Sequence, residues 1–481
     1  MPFLCKFVPD NPFMVSSVFE DLRYRWNRCN IAKEAHPALC LCLESLQEYP
    51  WAGVTLMVPR EADVDCSLVS RATGSAILSN DSDLLLHELG PHGCVLILDS
   101  VEMHKWDRNA STEAEITALR ARPSTLAARL GIADILYFAY ELTRDPTASF
   151  SDLVRRSRGA RGAAETADYA AFVETYRPTI HAVSAGRHFP QHFDARVSEL
   201  FLQCKCEDER RLDGILHMYL SVINDDHARR CAWEAGLGYR RLAYSVINTI
   251  RPITRRFAFV DEYVRKGGRI AVDRITLLDE DTILSEMQSL SRRLSLARAM
   301  VDDNIASPRY WRLFVLGELR CHRMDKAGLL GTDQLERYLR LGYVGQALEW
   351  TEVHLMAQTQ ALLYSLRILK QALAAKVPHG EVASRVKSML SGLPPLHVLM
   401  KSRAETSREF GDESATGELV RAFFRYCEQC AGVSRREDAI HEAADEDKLG
   451  LHECVSGECV SGITAADCRV SANIYEFLKS S

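Results

Sequence analysis

The chain has 481 residues, of which 47% are hydrophobic and 26% charged, and a formal net charge of −6. This mixture suits two or three domains with real cores, and without a global positive field any nucleic-acid binding must rest on local patches. No stretch approaches the roughly 18 to 20 consecutive apolar residues of a membrane span, and the start MPFLCKFVPDNPF lacks a basic region followed by a continuous apolar one. The expectation is an intracellular protein, nuclear or cytoplasmic, with no membrane partner. Its 15 cysteines are scattered, and Cys66 and Cys94 lie in apolar runs, which points to reduced thiols rather than a disulfide frame.

Near the start, Val15, Val18, Phe19, Leu22 and Trp26 recur at three- and four-residue spacings, predicting an amphipathic helix. Short apolar runs follow, VTLMV at 54–58, SAILS at 75–79 and CVLIL at 94–98, separated by helical or turn-like segments. That is the punctuation of an α/β domain with a mostly parallel sheet. Beyond residue 110 the pattern turns helical. Pro123 precedes a Ser124 or Thr125 cap, and Leu126, Leu130, Ile132, Ile135 and Leu136 mark an apolar face. Helical periodicity continues through LDGILHMYLSVINDD, YRRLAYSVINTI and TEVHLMAQTQALLYSLRILKQALAA. Past residue 400 the chain is polar and acidic, with the tandem ECVSGECVSG, and reads as a disordered tail.

Five carboxylates, Glu61, Asp63, Asp65, Asp81 and Asp83, crowd one short region, with Glu88 just beyond. Such a cluster must be solvated, partly protonated, or holding a cation. Glu61 and Asp63 follow the expected strand at 54–58, and Asp81 and Asp83 follow the one at 75–79. Both pairs then stand at carboxyl ends of neighbouring strands, where open α/β sheets bind ligands. Hard oxygen donors there suit Mg²⁺ or Mn²⁺, and two such ions serve phosphodiester hydrolysis. The plainer reading is that these acids cap helices and offset their dipoles. Asp65 points away from Asp63 and fits that reading better.

Arg155, Arg156, Arg158 and Arg161 form a basic group fit for phosphates of DNA or RNA, and Arg240, Arg241, Arg251, Arg255 and Arg256 form a second. Solvated helix faces balanced by acids explain either group as well. Cys427 and Cys430, with Cys454, Cys459 and Cys468 downstream, lack the compact apolar support of a zinc module. No phosphate-binding glycine loop and no nucleophile elbow is present. His87, His92 and His104 flank the acids without an assigned role.

The segments EADVDC and LSNDSDLLL, joined by the small-residue link RATGSA, resemble the internal region of the XPG-type, flap-endonuclease-like branch of PIN nucleases, and the Asteroid family more closely still. The similarity runs on through TLAARLGIADILYFAYELTRDPTASFSDLVRRSR. The resemblance implies that Glu61, Asp63, Asp81 and Asp83 are metal-binding and catalytic carboxylates of a Mg²⁺-dependent nuclease. It also implies a truncated PIN-like domain over 1–120, a helical Asteroid-type region over 121–400, and a tail over 401–481.

The match has departures. Family nucleases carry an earlier strand ending in aspartate, and Asp10, Glu20, Asp21, Glu34, Glu44 and Glu48 close no such run here. The glycine-rich hairpin that grips duplex DNA is replaced by AYELTRDPTASF, where Glu141 or Asp145 would be the available acid. The chain is therefore expected to be a fragment or a degenerate member that binds metal weakly and cleaves poorly. The competing expectation is a non-catalytic scaffold for nucleic acid or protein.

Overall fold

The computed structural model describes residues 13–34, 45–59, 61–103, 116–159, 166–177, 193–206, 214–301, 305–321, 350–376, 380–396, 418 and 420–430. They fall into two compact units, one drawn from 1–59 and 190–451, the other from 60–189. The architecture is mixed α/β with small sheets and a helical majority. The units do not divide at 120 and 400, for reasons of packing. Residues 121–154 supply much of the smaller unit's core, and Phe13 is part of the larger unit's core.

In the smaller unit, helix α3 (Ala62–Thr73) starts at Glu61 in extended backbone and stops at Gly74, whose φ of 71° is the left-handed cap. The chain turns into β1 (Ala76–Ser79), which pairs in parallel with β2 (Cys94–Ile97) from Ala76↔Cys94 to Ser79↔Ile97. Gly93 is needed where β2 begins, because a Cβ there would overlap the Leu89 carbonyl and the Ser70 hydroxyl. A 3₁₀ turn, Ser82–Leu86, drops Leu84, Leu85 and Leu86 into the core. The short strands β3 (Glu102–Met103) and β4 (Ile116–Thr117) pair with each other, and β5 (Arg120–Ala121) joins β2 antiparallel. Of the three-stranded sheet, only the β1–β2 pair is parallel.

Helices α4 (Pro123–Leu130), α5 (Ile135–Arg144), α6 (Phe150–Gly159) and α7 (Ala167–Tyr176) complete the unit. Leu126, Leu130, Ile132, Ile135 and Leu136 are all buried, as their periodicity predicts. Pro123 itself is the first helical residue, with Arg122 rather than Ser124 or Thr125 at the cap position. Its fixed φ and missing N–H suit that place.

The larger unit opens with α1 (Met14–Glu20), a π-helical turn over Asp21–Arg25, and α2 (Arg28–Glu34). The buried face of α1 keeps Phe19 but not the rest of the apolar stripe read from the sequence. Val15, Val18 and Trp26 are exposed, whereas Phe13, Ser16, Phe19 and Glu20 are buried. Glu20 is ion-paired with Arg367 and accepts from the Leu396 N–H at 2.7 Å, and Ser16 bonds Tyr364 at 3.3 Å. The expected strand at 54–58 does not form. Thr55 donates through both N–H (3.0 Å) and hydroxyl (2.7 Å) to the Trp51 carbonyl, so its bonds close a local turn instead of a ladder.

Helix α8 (Ala195–Lys205) leads to β6 (Leu216–Tyr219), and α9 (Leu237–Asn248) leads to the hairpin β7 (Phe259–Lys266) and β8 (Arg269–Thr276). β6 lies parallel to β7, and β7 antiparallel to β8. Helices α10 (Glu280–Met300), α11 (Pro308–Cys321), α12 (Trp350–Ala375) and α13 (Glu381–Ser391) build the remaining core around Trp311, Phe314 and Leu366. Of the expected tail, 421–430 is helical, with Phe423, Tyr426, Cys427 and Cys430 in that core. The rest of the tail call lies outside the described residues.

Candidate functional site

The acids gather in the smaller unit from two different starting points. Asp81 and Asp83 follow β1 directly, as expected. Asp81 caps the 3₁₀ turn, its Oδ1 accepting from the Asp83 N–H at 3.0 Å, while its own N–H donates to the Ser79 hydroxyl at 3.0 Å. Glu61 and Asp63 follow no strand, since 54–58 is not one; they sit at the cap and in the first turn of α3. Asp63 is partly buried, and Glu61 and Asp81 are exposed.

Asp63 feels its surroundings. Burial, then the charges of Asp81 and Glu61, hold its carboxyl above the usual carboxylate range. The same field reaches Cys66, whose thiol is pushed up by burial and by Asp63 and Asp65. His87 is pulled the other way. Burial lowers its pKa, a hydrogen bond to the backbone of Tyr176 opposes this, Arg177 lowers it further, and Asp81 raises it. Its Nδ1 has no hydrogen-bond partner among the described residues.

One acid at this edge was missed by the sequence reading. Asp99 follows β2 as Asp81 follows β1, and a reciprocal pair ties the two strand ends together. Asn80 Nδ2 donates to Asp99 Oδ1 at 2.8 Å, and the Asp99 N–H donates to Asn80 Oδ1 at 2.8 Å. The signal was present in CVLILDS, where an aspartate ends an apolar strand as it does in AILSND.

Other candidates are engaged elsewhere. Glu88 pairs with Arg71 at 3.1 Å. Glu141 pairs with Arg144 at 3.3 Å, and Asp145 with Arg156 at 3.0 Å. Hydrogen bonds from Thr147 and Arg156 keep the Asp145 carboxyl below its ordinary range. In the basic group Arg155 pairs with Asp152, and Arg158 donates to the Leu130 carbonyl at 3.0 and 2.7 Å, closing the end of α4. Arg161 and His104 lie outside the described residues. In the second group Arg240 is buried against Glu262, Arg241 donates to the Thr276 carbonyl, Arg251 serves backbone carbonyls, and Arg256 pairs with Glu280.

The donor chemistry at 61–83 is that of hard oxygens suited to Mg²⁺. Yet among the described residues no three or more His, Cys, Asp or Glu side chains stand close enough to hold a metal ion. Asp63, Asp81 and Glu61 sense one another's charge without closing into such a set.

A family described as XPG domain containing matches residues 10–277, more than half of the 481. The chain belongs to this XPG-domain family. The matched span of the XPG-domain chain takes in the whole acidic unit and, in the larger unit, the elements from α1 through β8. No curated protein and no solved structure matches it. Among the described residues no helix is long and apolar enough to cross a membrane.

Proposed function

We propose that this XPG-domain chain is an Asteroid-type, flap-endonuclease-like protein that acts on nucleic acid inside the cell, with weak Mg²⁺- or Mn²⁺-dependent phosphodiester hydrolysis. The observation that carries the reading is Asp63, partly buried beside the like charges of Asp81 and Glu61 with no basic side chain paired to it among the described residues. A divalent cation would relieve that repulsion. Glu61, Asp63, Asp81 and Asp83 would hold it, with Asp99 beside them. When bound, such an ion lowers the pKa of its water and offsets charge on a phosphodiester.

The protein's own part is to hold the oxygens. The Asp83 N–H fixes the Asp81 carboxylate, the Asn80–Asp99 pair fixes the two strand ends, and partial burial limits the hydration of Asp63. A second reading, a non-catalytic nucleic-acid or protein scaffold on a degenerate nuclease domain, draws support from the unclosed ligand set among the described residues.

The test compares Mn²⁺-dependent cleavage of single-stranded, flap and duplex substrates by the wild type and by Asp81→Asn, Asp83→Asn. Loss of cleavage in the double variant is the expected result. Equal cleavage by both proteins would sink the metal assignment, and no cleavage by either would favour the scaffold.

A further inference from the structure

The β6–β7–β8 sheet has two unlike faces. Leu216, Met218, Val260, Glu262, Val264 and Ile275 point inward and are buried. On the opposite face, Tyr219 is 53% exposed, Ile270 61%, Val272 45% and Phe259 37%. Tyr219 and Tyr263 are register partners whose rings stack at 4.2 Å with an interplanar angle of 11°. Arg274, on the neighbouring strand, lies 5.7 Å over the Phe259 ring and donates from Nε and Nη2 to both oxygens of Asp261 at 2.8 Å.

We propose that this outer face is a stacking platform for single-stranded nucleic acid. Contiguous exposed apolar surface marks an interaction site, and the chemistry of this face selects the partner. The rings are stacked on each other, so the exposed Tyr219 at the end of the stack offers its free π face to an unpaired base, which a duplex keeps stacked inside itself. Charge does not oppose this partner. Asp261 is buried and neutralised by Arg274, so the exposed side chains of these strands' outer face include no carboxylate to repel phosphates. Two of the five N–H donors of Arg274 are used on Asp261, which leaves three for a phosphate oxygen. The inference rests on the nucleic-acid reading for its choice of ligand, and not on cleavage.

The test uses the full chain with EDTA present, so that binding is read without turnover, and follows fluorescein-labelled oligo(dT) by anisotropy. Tyr219→Ala, Tyr263→Ala should weaken binding roughly tenfold or more, in line with the loss of base–aromatic stacking. Tyr219→Phe, Tyr263→Phe should bind as the wild type does. Tyr219→Leu, Tyr263→Leu keeps an apolar face without flat rings and should behave like the alanine pair; circular dichroism and melting temperature establish that each variant is folded. Wild-type affinity in either the alanine or the leucine pair, or no oligo(dT) binding by the wild type, would overturn the platform and leave the face to a protein partner. If the tyrosines govern oligo(dT) binding while no Mn²⁺-dependent cleavage is found, the nuclease reading alone falls.

Discussion

The buried acids of the larger unit and the acids at 61–81 of the smaller one are treated in opposite ways. In the larger one, buried acids are matched by guanidinium groups. Glu262 receives Arg240 at 2.7 and 2.8 Å and the Tyr244 hydroxyl at 2.5 Å. Asp225 receives Arg265 at 2.8 and 2.6 Å, and Glu318 is bound by Arg293, Tyr239 and Tyr426. Glu352 is the exception, buried with neither oxygen hydrogen-bonded among the described residues. In the smaller unit Asp63, Asp81 and Glu61 crowd together with no arginine or lysine paired to them among the described residues. The first pattern leaves core charges paired, so that removing one partner is costly; the second leaves like charges without a basic partner, which is where the proposed cation would act.

The largest expected effect breaks the first pattern. Arg240→Met strands the Glu262 carboxylate in the core and should cost about 3 to 5 kcal/mol in urea unfolding. A loss under 1 kcal/mol would mean that Glu262 is as easily satisfied as a surface acid. The second effect probes the other pattern. Mg²⁺ at ten times its dissociation constant should stabilise the wild type by about 1.4 kcal/mol, read as a rise in melting temperature. Asp63→Asn, Asp81→Asn should show no such rise, and an equal rise in both proteins would place the ion elsewhere.

Much of the acidic unit is legible in the sequence because its signals are local. Apolar runs give β1 and β2, a glycine ends α3, and a period near 3.6 gives Leu126 through Leu136. What is not legible depends on distant partners. Nothing near Glu20 or Ser16 announces that they face inward, since Arg367 and Tyr364 lie some 350 positions away. The stretch 54–58 has strand-like residues but no neighbouring strand among the described residues, and the Thr55 backbone takes a turn bond instead. The stacked tyrosines are hidden for the same reason: LDGILHMYLSVINDD reads as helical but supplies β6, because its apolar residues find a parallel partner in β7, across an intervening helix, and that register joins Tyr219 to Tyr263.

The smallest expected effect measures the acidic field directly. Because folding raises the Asp63 pKa, the stability it contributes is fully present below the unfolded carboxylate value and is lost as pH rises through the folded one. Asp63→Asn should therefore gain stability above that range and not below it. The gain should be a few tenths of a kcal/mol, since the carboxyl is partly solvated. Cys66 supplies an independent reading, because its thiol is raised by the charges of Asp63 and Asp65 as well as by burial. The variant should alkylate Cys66 faster with iodoacetamide near neutral pH, followed on the Cys66 peptide by mass spectrometry, as more thiolate forms. An unchanged rate together with an unchanged pH profile would mean that the charges at 61–81 are screened from one another. The acids would then be ordinary solvated caps, and the contrast with the arginine-paired core would carry no functional meaning.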